Sequence, residues 1–330
     1  MNWESGYKAE FYACFIDPAT WYDTERFEII DGSVERSEDN LRQSATLECT
    51  DYDDEERWVR IYMDAIQSGN VTHNALFTGL ATSPSRDIKG AVIKRELDCY
   101  SVLKPCEDIL LQRGYYVPAG RNGALAIQEL LSVTPAPVEI DGEAPSIADA
   151  IVAEDDETNL TMIEKILDAI NWRMQIQGDG MILLSPVDIE PVAEYSPLAL
   201  DIVETSLSVE RDWFDCPNVF RATLNEMSAT ARDDDPDSAL STVNRGREIW
   251  AQDEADLSDS ETLAEYAARM LKEAQDVSET AKFTRRYLPN VNVGDYVRID
   301  YPQLQGEFRV SEQSIDLTYN GRTSEVVKRG

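Results

Sequence analysis

A single imidazole limits the chemistry open to this chain. His73, in Ser68-Gly69-Asn70-Val71-Thr72-His73-Asn74, is the only histidine among 330 residues. A His-dependent triad or a His-rich metal centre would have to rest on it alone. No motif surrounds it, and the turn residues before it and Leu76-Phe77 after it fit an ordinary loop or strand-edge position. The five cysteines, Cys14, Cys49, Cys99, Cys106 and Cys216, are odd in number and sparsely spaced, without a Cys-x-x-Cys or Cys/His ligand pattern. Cys49 and Cys99 fall at apolar positions of alternating segments, so buried thiols are expected. Neither glycine-rich phosphate signature occurs, and Gly178-Asp179-Gly180 lies inside a hairpin pattern, the wrong context for a nucleotide.

Carboxylates are the remaining candidates. They cluster in Asp51-Tyr52-Asp53-Asp54-Glu55-Glu56, in Glu154-Asp155-Asp156-Glu157 and in Asp233-Asp234-Asp235-Pro236-Asp237. Asp233, Asp235 and Asp237 match the start of an EF-hand loop. However, Ser238 stands where that loop needs glycine and Asn244 where it needs a bidentate glutamate. A glycosidase needs only two carboxylates about 5–9 Å apart, and among 63 acidic residues a chance pair carries no information. The clusters therefore read as solvated loops. The sequence nominates no catalytic, cofactor-binding or metal-binding residue, and a non-enzymatic role follows.

The charge points the same way. With 63 acidic and 30 basic residues the formal net charge is −33, which disfavours binding to nucleic-acid phosphates. No apolar run approaches the ~20 residues of a membrane span, and Met1-Asn2-Trp3-Glu4-Ser5 lacks the start of a signal peptide. Synthesis in a cytoplasm is the expectation.

The elements that would position these residues fall into three blocks, expected at 1–107, 108–200 and 201–330. The first reads as β. Ala45-Thr46-Leu47-Glu48-Cys49-Thr50, Trp58-Val59-Arg60-Ile61-Tyr62-Met63 and Leu97-Asp98-Cys99-Tyr100 alternate with period two, Val59, Ile61 and Met63 sharing a face. Asp31-Gly32, Ser68-Gly69-Asn70 and Asp87-Ile88-Lys89-Gly90 supply turn signals between strands, as in a small barrel or sandwich.

In the middle block, Asn122 can cap a helix through Leu125, Ile127, Leu130 and Leu131. A second helix begins near Thr158-Asn159, with Leu160, Ile163, Ile166, Leu167 and Ile170 at helical spacing; Thr161 and Glu164 offer an alternative capping pair. Trp172 to Gln177 alternates, Gly178-Asp179-Gly180 turns and Met181 to Leu184 returns: a helix packed on a hairpin.

In the last block Val219 to Leu224 and Arg247 to Trp250 look like strands, and 231–237 like a polar loop. Ser258-Asp259-Ser260-Glu261 matches a capping box for a helix near 259–275, whose stripe Leu263, Tyr266, Ala267, Met270, Leu271 and Ala274 faces a core. Strands follow: Val297, Ile299 and Tyr301 on one face, Arg298 and Asp300 on the other, then Ile315, Leu317 and Tyr319, with an Asn320-Gly321 hairpin turn. Gly294-Asp295 is read as the geometry leading into these strands. The fold class is thus α+β and β-rich, two β-rich blocks flanking a small α+β domain. Trp3, Trp21, Trp58 and Trp213 are candidate anchors or core residues.

This block order resembles the baseplate or tail-tip hub proteins of bacteriophages and prophages. Leu76-Phe77-Thr78-Gly79-Leu80 looks like that family's strand before the long hairpin of the first tube domain. Ile166 to Trp172 followed by Gly178-Asp179-Gly180 looks like its middle-domain helix and hairpin, and Leu263 to Leu271, Pro289 and Gly294-Asp295-Tyr296-Val297-Arg298-Ile299 like the helix and strands of its second tube domain.

The resemblance implies two tube-type β-barrels and a homotrimeric ring that joins a sixfold tail tube to a tip or spike. It implies as partners tail tube, distal tail, spike and tape-measure proteins, and a location in the virion tail after synthesis in the bacterial cytoplasm. DNA would pass through the ring without sequence-specific binding, and part of the acidity would line that channel. The chain stops soon after the terminal hairpin, so a cell-wall hydrolase would be a separate chain. The alternative reading is a tail-associated hydrolase with a paired-carboxylate site.

Overall fold

The protein is described by a computed structural model covering residues 1–3, 6–38, 43–50, 52, 55–89, 92–196, 203–210, 213–224, 227–255, 262–275, 279–302, 304–318 and 321–329. The chain forms two compact units, one of residues 1–208 and 282–328 with 330, the other of residues 209–281 with 329. It is β-rich with α-helices, as expected.

In the larger unit the first six strands are β1 (Lys8–Ile16), β2 (Asp23–Ser37), β3 (Gln43–Cys49), β4 (Arg57–Gln67), β5 (Asn70–Lys89) and β6 (Val92–Ser101). They pair in the order β1-β4-β5-β6-β3-β2, and β2 pairs back onto β1, so the pairings close a ring. Val59, Ile61, Met63, Leu97 and Cys99 all point into its core. Gln67 pairs with Asn70 across Ser68 (φ 52) and Gly69 (φ 83), a two-residue hairpin turn with both central residues left-handed.

One expected turn is not a turn. Asp31-Gly32 lies inside the 15-residue β2, beside a register shift between Ile29 and Asp31. Such a bulge bends a strand without ending it. Here it lets one end of β2 pair with β1 and the other with β3. Asp87, Ile88 and Lys89 are the last residues of β5 and pair with Lys94, Ile93 and Val92 at the start of β6, as a turn signal between strands requires; Gly90 lies outside the described residues.

The middle elements are α1 (Lys104–Asp108), β7 (Tyr116–Val117), α2 (Gly123–Leu131), β8 (Val138–Ile140), β9 (Ile151–Val152), α3 (Asn159–Ile170), β10 (Trp172–Ile176), β11 (Ile182–Pro186) and β12 (Pro191–Tyr195). Asn122 caps α2 by accepting from the Leu125 N–H at 3.1 Å, while Leu125 itself faces solvent; Ala124, Ala126, Ile127, Leu130 and Leu131 make the buried face. Thr158 caps α3 and exchanges bonds with Thr161, so the Thr161–Glu164 alternative is not used. The predicted apolar stripe of α3 is buried throughout. Helices α2 and α3 share a core with β10, β11 and β8, β8 lying parallel to β11.

The last strands of the larger unit, β17 (Thr280–Arg286), β18 (Tyr296–Tyr301), β19 (Leu304–Asp316) and β20 (Arg322–Arg329), follow β13 (Val203–Glu210), β14 (Val219–Leu224), β15 (Met227–Arg232), α4 (Thr242–Arg245), β16 (Trp250–Glu254) and α5 (Leu263–Gln275) in the chain. Pairing runs β2-β19-β20-β17-β13, and β18 joins β19 to β12. Val297 and Ile299 are buried, and Arg298 and Asp300 exposed, as their alternation requires. Ile315 and Leu317 are buried too; Tyr319 and Asn320 lie outside the described residues.

Taken by itself, the smaller unit is the sheet β15-β14-β16 with α5 on one face, packing Tyr266, Ala267 and Leu271 on Phe220 and Ala222. Its strand β16 begins at Trp250, so Arg247 to Ile249 precede it. The expected 258–261 capping box lies outside the described residues. A box is made one turn on: the Glu265 N–H donates to Thr262 Oγ1 at 3.3 Å and the Thr262 N–H to Glu265 Oε2 at 2.9 Å. Among the described residues no helix is long and apolar enough to cross a membrane.

Candidate assembly surface and the polar core beneath it

Residues 275 to 283 positions apart in sequence become neighbours where β2 meets β19. Glu312 pairs with Ser37, Gln313 with Arg36, Ser314 with Glu35, Ile315 with Val34 and Asp316 with Ser33. This single ladder fuses the first ring to the last strands in one sheet. Because side chains alternate across a strand, it also sorts them. Val34, Arg36, Gln313 and Ile315 go inward and are buried, while Ser33, Glu35, Ser37, Glu312, Ser314 and Asp316 go outward.

The outward face is acidic and hydroxyl-rich. The β2–β3 and β3–β6 registers place Asp31, Glu48, Glu96, Asp98, Ser44 and Thr46 on it, and alternation adds Ser324 and Thr284. Ser314 Oγ donates to Glu35 at 2.7 Å, and Ser33–Thr46 and Thr284–Ser324 hydroxyls lie 3.3 and 3.5 Å apart. Its basic residues include Lys94, Lys282 and Arg322 and, by the same alternation, Arg286 and Lys328; Lys94 is paired with Glu48. A concavity of about 750 Å3 lies over β2, β19, β20 and β17.

Beneath this face the interior is polar. Arg285 donates from Nε to Glu325 Oε2 at 2.8 Å and also through Nη2, both side chains being fully buried. Tyr195 donates its hydroxyl to Glu325 Oε1 at 3.1 Å and Gln313 Nε2 donates to Oε2 at 3.1 Å. Burial opposes the Arg285 charge, but Glu325 outweighs it and raises the guanidinium pKa. Burial in turn drives the Tyr195 hydroxyl well above its ordinary value.

The β10–β11 hairpin ties this sheet to the middle elements at both ends. Its tip is pressed on β5: a Cβ at Gly178 would stand 1.9 Å from the Ala75 carbonyl oxygen. Thr78 Oγ1 donates to the Gly178 carbonyl at 2.8 Å, and Arg60 Nη2 and Trp21 Nε1 donate to the Asp179 carbonyl at 2.8 and 3.1 Å. Arg60 is held by Asp23 at 2.8 Å, and Tyr62 donates to the same carboxylate at 2.6 Å. Burial, then that carboxylate, pushes the Tyr62 hydroxyl to about 12. At the other end Asp295 accepts from Arg173 at 3.0 Å, Gln175 at 2.9 Å and the Asn292 N–H at 2.9 Å. Gly294, at φ 87, provides the left-handed turn into β18.

The residues singled out for chemistry are scattered. His73 is a solvent-facing residue of β5, its Nδ1 2.7 Å from Asp64 across the β4–β5 pair. All five cysteines are buried thiols, and burial pushes Cys106 up to about 12. Asp51, Asp53 and Asp54 lie outside the described residues. Glu157 is held by Lys165, whose hydrogen bond lowers its pKa. The 233–237 run closes on itself: Asp233 accepts from Ser238 Oγ at 2.6 Å and the Asp235 N–H at 3.1 Å, and Asp235 from the Asp237 N–H at 2.9 Å. Among the described residues no group of three or more His, Cys, Asp or Glu is arranged to hold a metal ion. Trp21 and Trp58 pack against the middle core and Trp3 against Tyr7 and Tyr287, whereas Trp213 is 43% exposed.

Of the ladder residues only Ile315 stood out in the sequence, as part of a strand pattern. The others offer one further signal, Arg36 in phase with apolar Val34.

A β-rich chain with a closed six-strand ring, an α+β insert and a second strand set joined edge to edge has the fold of phage tail proteins. The 43 kDa tail protein of prophage MuSo2 from Shewanella oneidensis superposes with a TM-score of 0.68 at 11% identity, over 97% of this chain and 98% of that one. A tail protein from Neisseria meningitidis MC58 gives 0.68 at 14% identity, over 98% and 97%. An Escherichia coli component of the type VI secretion system, described as structurally similar to the T4 tail proteins gp27 and gp5, gives 0.51 at 8% identity, over 92% and 74%. No protein-family model and no curated protein matches the sequence.

Proposed function

We propose that this chain is a structural, non-enzymatic tail component: a homotrimeric hub that joins a tail tube to the tip or spike and encloses a channel for DNA. The observation that carries this reading is the β2–β19 ladder, which presents an acidic, hydroxyl-covered face along one continuous sheet. In the proposed ring the blocks 1–107 and 201–330 each contribute a tube-type barrel around the 108–200 domain. Three copies then offer six similar units to a sixfold tube. The shared face lines the lumen, where like charges within about 8 Å repel phosphates at physiological salt and small hydroxyls leave no grip for bases. Tail tube, distal tail, spike and tape-measure proteins are its partners, and the virion tail is its location. Superposition of two tail proteins over 97% and 98% of this chain supports the reading.

Light scattering across a concentration series tests it: a trimer mass is expected, and a monomer at every concentration, alone and with tail-tube protein, would overturn it. Charge is tested separately. Glu35, Glu312 and Asp316 changed together to Lys should leave the trimer intact but slow DNA ejection in assembled particles.

A further inference from the structure

A second cavity, of about 460 Å3, lies in the larger unit between the end of β2, α3, β10 and the 292–294 turn. In a chain with 63 acidic and 30 basic residues, it gathers three arginines, Arg36, Arg173 and Arg309. Arg173 is neutralised by Asp295 at 3.0 Å, and Arg309 reaches Glu38 through Nη2. Arg36 is handled differently. Only 4% exposed, it donates to Asn292 Oδ1 at 3.1 Å, Gln313 Oε1 at 3.5 Å and the Leu76 carbonyl, all neutral acceptors.

The Nε atoms of Arg36 and Arg309 are both buried with no hydrogen-bond partner among the described residues. A buried guanidinium without a carboxylate calls for a compensating anion, and a buried N–H calls for an acceptor. One group supplies both needs: a compact oxyanion whose oxygens match the guanidinium fork. Glu164 and Asp168 of α3 also line the cavity, so the anion must be small enough to stay clear of them.

We propose that this cavity binds a tetrahedral oxyanion, inorganic phosphate or sulfate, through Arg36 and Arg309. When occupied it ties β2 to β19. The test uses the full chain dialysed into chloride buffer, with phosphate, sulfate or chloride added at matched ionic strength. Tm is expected to rise with the logarithm of phosphate or sulfate concentration, and calorimetric titration with phosphate to give one site per chain. Arg309, whose side chain is 36% exposed, can be changed without emptying the core; Arg309→Gln should weaken phosphate binding at least tenfold. Glu38→Gln, which removes a competing carboxylate, should tighten it severalfold. The proposal is overturned if chloride reproduces the shift, if the stoichiometry departs from one, or if Arg309→Gln binds phosphate as the wild type does.

Discussion

Arg285 and Arg36 stand on the buried side of the same sheet, Arg36 bonded to Gln313 and Arg285 to the Glu325 that Gln313 also holds, yet they are neutralised in different ways. Arg285 has Glu325, itself bonded by Tyr195 and Gln313, so every charged atom of the pair lies in a fixed network. Arg36 has amide and carbonyl acceptors and the neighbouring Tyr287, and burial lowers its pKa where that of Arg285 rises. The difference teaches that burial alone does not set the behaviour of an interior charge. A carboxylate fixed by its own hydrogen bonds turns a costly group into a lock, and without one the group needs a ligand or a tolerance for neutral partners.

The largest effect should come from breaking the lock. Glu325→Leu strands Arg285 and should lower stability by about 3–5 kcal/mol in urea titration, while the double change with Arg285→Met should restore much of it. If the double variant is no better than the single one, the pair is not acting as a unit. Next comes Gly178→Ala, whose methyl group would collide with the β5 backbone; a loss of about 1–3 kcal/mol is expected, with hydrogen exchange increasing at the β10–β11 tip.

Arg36→Met should cost about 1–2 kcal/mol, from acceptors left unsatisfied. A cost above that of Glu325→Leu would reverse the comparison. Phosphate should widen the gap between wild type and Arg36→Met.

A partly buried tyrosine next to Tyr287 adds a pH test. Tyr7 donates to the Tyr287 carbonyl at 3.2 Å, and burial pushes its hydroxyl from 10.0 to about 12. A raised folded pKa means the unfolded chain ionises first. This contribution to stability is therefore complete below pH 10 and is lost as pH rises through about 12, which a urea midpoint series at constant ionic strength would show. The smallest effect is expected at the surface of the smaller unit. Asp234→Asn should leave the urea midpoint where it is in the wild type, since that carboxylate is solvent-exposed and only its local bonds to Thr242 and Arg232 lower its pKa.

Much of the local structure was legible in the sequence. Val59, Ile61 and Met63, the 68–69 turn, the Thr158 cap and the α3 stripe all follow from spacing within a dozen residues. The failures share a cause. Asp31-Gly32 has turn residues, but strands pairing on both sides of it made a bulge favourable over a turn. Leu125 has helical spacing, but the core lay on the other side of α2. Of the candidate surface, the acidic residues were visible as composition and not as a face, because nothing local says that Glu35 and Ser314 will be neighbours.

By itself the sequence determined the β-rich class, the middle helix and hairpin, the buried thiols and the lack of any motif for chemistry, because period, capping and turn geometry act over a few residues. Tertiary structure alone decided that β2 pairs with β19, that the Gly178 turn seats on Ala75, and that Arg285 has a carboxylate while Arg36 has none. Those outcomes depend on the fit and charge of groups up to 283 residues apart, where register is fixed by packing both faces of the sheet at once.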